Sequence, residues 1–360
     1  MYLTGKPALS KARSIEHNAL QAVDGYLGTE FDTAALHGLS GIGRRGGYND
    51  FLRVYWFGRR AQSLIGVTGT RDSIRKILRG DRSASEELTA IHLLRDGHRD
   101  TELELSPPTF VGDRTKQPDF RIRKKGDPWV YVEVTQLNRS VASARVTDLL
   151  QRLGEGVMDI DRPFILEVVL DREPAESEID ALVYEARLEC EREAGTTREL
   201  AGLGRLLVKT GDVSVVVPSV ESDTVPRMTL ARSLLGPVAP NRQAIIRVPF
   251  RDERAEDVLA NEAKQLPKNE CGLVMVNVNL QPTAFEHWSK RIPERFASGN
   301  HTRVAGVLLF MHATQASTRG LVWFPHVRFM PNPHARVPIA PWVTAEFERI
   351  RADARALASM

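Results

Sequence analysis

The sequence predicts an α/β protein built on a unit of one helix, three strands, a helix and a strand. A helical region precedes that unit and an α/β extension follows it. Three observations carry the prediction. An apolar stripe of Ala90, Leu93 and Leu94 runs behind the acidic start Glu86-Glu87, the pattern of an amphipathic helix. Two strand-like runs, Asp119 to Arg123 and Val130 to Thr135, flank Lys124-Lys125-Gly126-Asp127-Pro128. Gly, Asp and Pro mark a turn there, so the two runs pair as an antiparallel hairpin. The run Phe164-Ile165-Leu166-Glu167-Val168-Val169-Leu170 is almost wholly apolar, as a strand buried on both faces requires.

Residues 1–82 form a basic, mainly helical region with 13 Lys and Arg against 7 Asp and Glu. A helix is predicted around Lys11 to Leu27. The loop Gly41-Ile42-Gly43-Arg44-Arg45-Gly46-Gly47 can wrap a phosphate with its N–H groups and with the guanidinium forks of Arg44 and Arg45, or can serve as a solvated turn. No Gly-Lys-Ser/Thr follows it, so it is not a Walker loop. Tyr48 to Ala61 reads as a helix with Phe51, Val54, Tyr55 and Phe57 near one side and Arg53, Arg59 and Arg60 toward another. The helix Thr70 to Arg79 sets Arg71, Arg75 and Arg79 four residues apart on one face, a row suited to a phosphate backbone.

Residues 83–200 hold the central unit. Ser83-Ala84-Ser85-Glu86 fits a capping box, and Glu86, with Glu87 as the fallback, points toward the sheet's end. Thr101 to Leu105 is the first strand, and Ser106 to Gln117 a polar loop. Side chains alternate along a strand, so Glu133 and Thr135 share one face and Val132 and Val134 the other. Gln136 then faces away from Thr135. Asp119, at the far end of the partner strand, reaches the Glu133 side. A helix from about Val141 leads to the strand Phe164–Leu170, and strand, helix, strand predicts a right-handed parallel crossover within one sheet. Glu167 is expected to pair with an arginine.

Residues 201–360 alternate strands and helices, either extending the first sheet or forming a layer of their own, and end in a helix from Val343 to Ala358. A hairpin is predicted at Leu206–Lys209 and Val213–Val217, around Thr210-Gly211-Asp212. Strands are expected at Gln243–Phe250, Gly272–Asn277, Val304–Met311 and Gly320–Phe329, the last antiparallel. Helices are expected at Arg254–Leu266 and Thr283–Phe296. The histidines in this part lack metal-ligand spacing.

Two carboxylates meeting across a hairpin suit a hard divalent cation, which prefers oxygen ligands. Pro118-Asp119, then Glu133-Val134-Thr135 after a turn, preceded by a helix with a leading Glu, resembles the PD-(D/E)XK nuclease superfamily, whose fold is restriction-endonuclease-like. The resemblance covers roughly residues 83–170. It implies a metal-dependent nuclease hydrolysing phosphodiester bonds, with DNA the favoured substrate and restriction, repair or defence the roles. It makes Asp119, Glu133 and the Val134 carbonyl ligands of Mg2+ (or Mn2+), with Glu86 an outer partner. The superfamily carries Lys two residues after the Glu; here Thr135 stands in that place and can hold a water without supplying charge. Lys116, Lys124, Lys125, Arg139 and Arg145 are the candidate replacements. The rival reading is a catalytically inactive descendant that binds nucleic acid or protein.

Hydrophobic content of 42% and charged content of 26% are those of a soluble globular chain. No apolar run approaches the ~18 residues that span a bilayer, so no membrane partner is expected. Cys190 and Cys271 lack metal-type spacing, and a cytoplasmic location is the simplest account. A homo-oligomer is compatible with everything above.

Overall fold

The computed structural model describes residues 57, 60–64, 66–95, 100–111, 114–192, 195–209, 227–234, 242–281, 283–317 and 320–358. The helix at Lys11–Leu27, the loop bearing Arg44 and Arg45, most of Tyr48–Ala61, and the segment from Thr210 to Val217 lie outside them.

In chain order the elements are α1 (Thr70–Leu78), α2 (Arg82–Arg95), β1 (Thr101–Leu105), β2 (Thr109–Val111), β3 (Arg114–Lys116), β4 (Phe120–Lys124) and β5 (Val130–Gln136). Then come α3 (Val141–Met158), β6 (Phe164–Leu170), α4 (Ile179–Glu191), β7 (Thr197–Leu200), β8 (Gly204–Lys209), β9 (Arg227–Leu234) and β10 (Arg242–Pro249). The chain ends with α5 (Ala255–Glu262), β11 (Cys271–Asn277), α6 (Thr283–Ala297), β12 (Val304–Ser317), β13 (Gly320–Pro331) and α7 (Pro341–Ala358). The fold is mixed α/β with two mixed sheets. It divides into two compact units. One holds the described residues up to Leu137, Arg254–Leu280 and those from Ser289 onward; the other holds Asn138–Glu253 and Gln281–Trp288.

The sheet of the first unit has the order β1-β4-β5-β11-β12-β13. Its β1, β4 and β5 are antiparallel, β11 runs parallel to both β5 and β12, and β13 returns antiparallel. Alternation puts Phe120, Ile122, Val130, Val132, Val134, Leu273 and Met275 on one face. There they form a core with Leu88, Ile91 and Leu94 of α2 and Val343, Phe347 and Ile350 of α7. Val274, Val276, Val307 and Leu309 point the other way and are also fully buried, as are Leu259 of α5 and Ile292 and Phe296 of α6. Arg295 pairs with Glu256 at 2.5 Å, which ties α6 to α5. Gly272 is needed on that face. A Cβ there would lie 2.8 Å from Leu266 Cδ1 and 2.6 Å from the Arg303 carbonyl, too close for any larger residue without displacement.

The predicted crossover is not formed. Phe164–Leu170 lies in the other sheet, and β11 occupies the place beside β5, with Val274 opposite Glu133 and Val276 opposite Thr135. Hydrophobicity does not separate the two candidates, because β6 and β11 are each buried at every position. An ion pair distinguishes them: Glu167, as expected, meets an arginine, and that residue is Arg247 of β10, at 2.9 Å. Both side chains are buried, and a buried carboxylate is tolerated when a cation meets it. With residues 138–253 set aside, the order in the first unit from α2 onward reads α2, β1, β2, β3, β4, β5, α5, β11.

The sheet of the second unit has the order β7-β8-β6-β10-β9. Leu166, Val168, Leu206, Ala244 and Ile246 pack there with Val146, Leu150 and Leu153 of α3 and Ile179 and Leu182 of α4. The Ser140 hydroxyl caps α3 by accepting the Ser143 N–H at 3.0 Å. Of the strands in residues 201–360, β11 to β13 extend the first sheet, and β8 to β10 join β6 and β7 in the second, where the sequence left the two arrangements as alternatives. Two local expectations change. β8 pairs with β7 and β6, and the stretch read as a polar loop before Asp119 carries the β2–β3 hairpin.

Candidate functional site

Asp119, just before β4, stands beside the second half of β5, which carries Glu133 and Thr135. The β4–β5 ladder runs from Ile122–Val130 to Phe120–Val132, and Asp119 and Glu133 stand one step beyond its last pair. Past that point the Val134 N–H on this edge of β5 has no strand carbonyl to meet. A backbone donor in a buried place must find a partner, and the Asp119 carboxylate supplies it, its Oδ2 accepting the N–H at 2.6 Å. That bond fixes the Asp119 side chain beside the main chain of Glu133 and Val134. Glu133 is 2% exposed.

Glu86 sits on the other side of the sheet. The helix begins earlier than the capping box implies, because Asp81 caps it by accepting the Ala84 N–H at 3.2 Å. The Ser83 hydroxyl instead donates to Glu87 at 3.3 Å. Glu86 is thereby released from capping and turns to the strands. Gln136 and Asn277 are register partners, so their side chains stand next to each other on the α2 face. Gln136 Nε2 donates to Glu86 Oε1 at 3.3 Å, and Asn277 Nδ2 donates to Glu86 Oε2. Asn277 is fully buried, its carbonyl accepts the Leu137 N–H at 2.8 Å, and its side-chain oxygen accepts the Asn279 N–H at 2.8 Å. Gln136 faces away from Thr135, as its place in the strand predicts.

Thr135 shares the Glu133 face, toward α5, and its side chain opposes the rise that burial gives the Glu262 carboxyl in that helix's last turn. Four acids around the strand ends, Asp119, Glu86, Glu87 and Glu262, are pushed toward the protonated form. Burial, then the neighbouring charge of Glu87, pushes Asp119 up to about 7; Glu262 adds to this, while the Val134 N–H and Lys76 oppose it. Burial likewise raises Glu86, against the Asn277 bond and Arg60. It raises Glu87, against Lys76 and Ser83, and Glu262, against Thr135 and Gln265. Carboxyls raised together in this way carry negative charge poorly when left alone, and a cation among them would restore their ionised form.

The donors fit a hard cation in kind: carboxylate oxygens and a main-chain carbonyl, with no thiolate or imidazole among them. Among the described residues no three His, Cys, Asp or Glu side chains are gathered as a ready metal-ligand group. Asp119, Glu133 and the Val134 carbonyl are the residues that would hold Mg2+.

The positive charges differ from those expected. Lys124 and Lys125 end the hairpin at the opposite end of β4 from Asp119, about 17 Å along the strand, and the Lys124 ammonium lies 6.0 Å from the Trp342 ring. Arg139 and Arg145 belong to the second unit, where Arg145 pairs with Glu173 at 3.5 Å. Lys116 closes β3. The cations that act on the acids are Lys76 of α1, on Asp119 and Glu87, and Arg60, on Glu86. Arg60 also donates to Thr89 Oγ1, one turn after Glu86, at 2.6 Å. A short link between α1 and α2 brings the last turn of one beside the first turn of the other, with the Asp81 N–H bonded to the Lys76 carbonyl at 3.1 Å. Arg71 and Arg75 are exposed on α1, which ends one residue before the exposed Arg79 that caps it, and Arg75 lies 3.8 Å from Asp72. Burial pushes the Cys190 and Cys271 thiols up to about 11, so neither is poised as a thiolate.

No family model, curated protein or solved structure matches the chain. Among the described residues, no helix is long and apolar enough to cross a membrane.

Proposed function

We propose that this chain is a metal-dependent nuclease that hydrolyses phosphodiester bonds in DNA, of the PD-(D/E)XK kind. The observation that carries the reading is the Asp119 carboxylate, held by the Val134 N–H beside Glu133 at the end of β5. Two further features support it. Setting residues 138–253 and the β2–β3 hairpin aside, the order α2, β1, β4, β5, α5, β11 is compatible with the helix, three strands, helix and strand expected of that superfamily, with the second unit falling between the third strand and the second helix. The site lies at the carboxyl ends of the parallel strands β5 and β11, where open α/β sheets bind ligands.

Mg2+ bound there would polarise the scissile phosphate and lower the pKa of a water molecule. Asp119 and Glu133 would hold the ion, with the Val134 carbonyl beside them. Glu86, gripped by Gln136 and Asn277, keeps α2 and the two strand ends in register behind it. Thr135 accepts a hydrogen bond from the attacking water, and exposed Arg71, Arg75 and Arg79 hold the phosphate backbone.

Incubation of supercoiled and linear DNA with Mg2+ or Mn2+ tests the proposal. The wild type should cleave, and Asp119→Asn and Glu133→Gln should each lower the rate by about 100-fold or more. Absence of cleavage with either metal, or cleavage that survives both substitutions, would overturn it. A specific feature favours the second reading, an inactive nucleic-acid-binding descendant: Thr135 brings no charge to the place of the superfamily's Lys. In that case the wild type and both variants would retard DNA equally and none would cut it.

A further inference from the structure

The face of β4 and β5 that carries Asp119 and Glu133 continues away from them as an ordered surface of flat side chains. Arg121 stands opposite Tyr131, two residues from the acids, and Arg123 follows two further along β4. Trp129, one residue before β5, lies against both arginines. Its ring centre is 4.4 Å from the Arg121 guanidinium carbon and 4.3 Å from that of Arg123. Each guanidinium is also held by β1: Arg121 Nε donates to Glu104 at 2.7 Å and Arg123 Nε to Glu102 at 2.7 Å. Arg121 donates further to the Tyr131 hydroxyl at 3.0 Å. The surface is open to solvent, with the Arg121 side chain 26% and the Arg123 side chain 33% exposed.

The ion pairs alone would fasten β1, at the edge of this sheet among the described residues, to β4. The indole is not needed for that. What it adds is a π surface stacked with two planar guanidiniums, and nucleobases stack on both kinds of plane. Glu102 and Glu104 neutralise the two arginines, so the surface has little to offer a phosphate and attracts bases instead. A duplex covers the faces of its bases with their neighbours, whereas an unpaired strand leaves them open to stack on protein. We infer that Arg121, Trp129 and Arg123 form a stacking platform for unpaired bases beside the scissile phosphate, so that the substrate is DNA with a single-stranded stretch next to the cleaved bond. This rests on the nuclease reading above. Trp129 stands four residues from Glu133, about 14 Å along the strand, which sets the platform a few nucleotides from the candidate metal site.

Fluorescence anisotropy on the full chain in chelator tests this, with a labelled oligothymidylate, a blunt duplex, and the same duplex carrying a single-stranded extension. Trp129→Leu keeps an apolar side chain against the arginines and removes the π face. It should weaken binding of the oligothymidylate and of the extended duplex about 10-fold or more, with the loss on the blunt duplex below about 2-fold. Trp129→Phe, which keeps a ring, should stay within about 3-fold of the wild type on all three. The loss in Trp129→Leu should be the same at about 50 and about 200 mM salt, because no phosphate contact goes with it. Far-ultraviolet circular dichroism of both variants guards against misfolding. Equal affinity of the wild type and Trp129→Leu for the oligothymidylate would overturn the inference, as would an equal loss on the blunt duplex, a loss that varies with salt, or a wild type that binds no oligothymidylate. The assay needs no cleavage, so the two readings separate. If Asp119 and Glu133 prove essential for cleavage while one of those results appears, the nuclease reading stands and this inference alone falls. Binding of unpaired DNA through Trp129 by a protein that never cleaves would support the platform and remove the nuclease reading.

Discussion

Asp119 shows how a single residue couples stability to function. Its carboxyl would ionise near 3.8 in the unfolded chain and near 7 in the fold. Between those values the unfolded chain gives up a proton that the folded chain keeps. The metal-free protein therefore loses stability as pH rises from about 4 to about 7, by about 2–4 kcal/mol, and the loss levels off above that. Asp119→Asn keeps an oxygen for the Val134 N–H and removes the charge. Thermal unfolding in chelator should accordingly show the Asp119→Asn variant melting above the wild type at about pH 8, with the gap closing near pH 4; a gap of constant size would contradict this origin. Glu86 offers the opposite case. Glu86→Ala leaves the Gln136 and Asn277 amides without their acceptor, Asn277 being fully buried. Denaturant unfolding should register a loss of about 1–3 kcal/mol, and Glu86→Gln a smaller one. The placement of Asp119 across from Glu133 was legible in the sequence because a turn and a period of two set it. Asn277 and Glu262 were not, since they reach the site from elements far along the chain and nothing in β11 or α5 marks them locally.

At the scale of elements, the informative contrast is between two helices and two strands. The basic row on α1 was readable from spacing alone. The approach of Lys76 to the acids was not, because that depends on the short turn between α1 and α2 that carries Lys76 to Asp119 and Glu87. If Arg71, Arg75 and Arg79 hold DNA backbone, replacing all three with Ala should flatten the slope of log K against log salt by about 2–3. An unchanged slope would remove α1 from the interface. In the second unit, β6 and β10 are held by Glu167 and Arg247, two buried side chains 2.9 Å apart. Arg247→Met should cost about 3–5 kcal/mol in urea unfolding, while Arg247→Met with Glu167→Leu should come back close to the wild type. Equal losses in both variants would mean that packing, and not charge, sets the cost. The sequence indicated that Glu167 needs an arginine. It did not indicate that this requirement would draw β6 into a different sheet from β5.

Across the whole chain, the elements expected to follow one another along the sequence are divided between two units. The third strand and the second helix are separated by residues 138–253, which have a sheet and a hydrophobic core of their own. A reading that runs along the chain cannot see such an interruption when the inserted unit offers an equally apolar strand at the expected distance. What survives it is the end of β5, where Asp119, Glu133, Thr135, Gln136 and their partners from α2, α5 and β11 meet. The most direct measurement of the account is Mn2+ binding, followed by electron paramagnetic resonance in the presence of duplex DNA bearing uncleavable phosphorothioate linkages. The wild type should take up Mn2+ saturably, and Asp119→Asn and Glu133→Gln should each weaken that uptake at least about 10-fold. Uptake of equal strength in all three proteins, or none in the wild type, would contradict it.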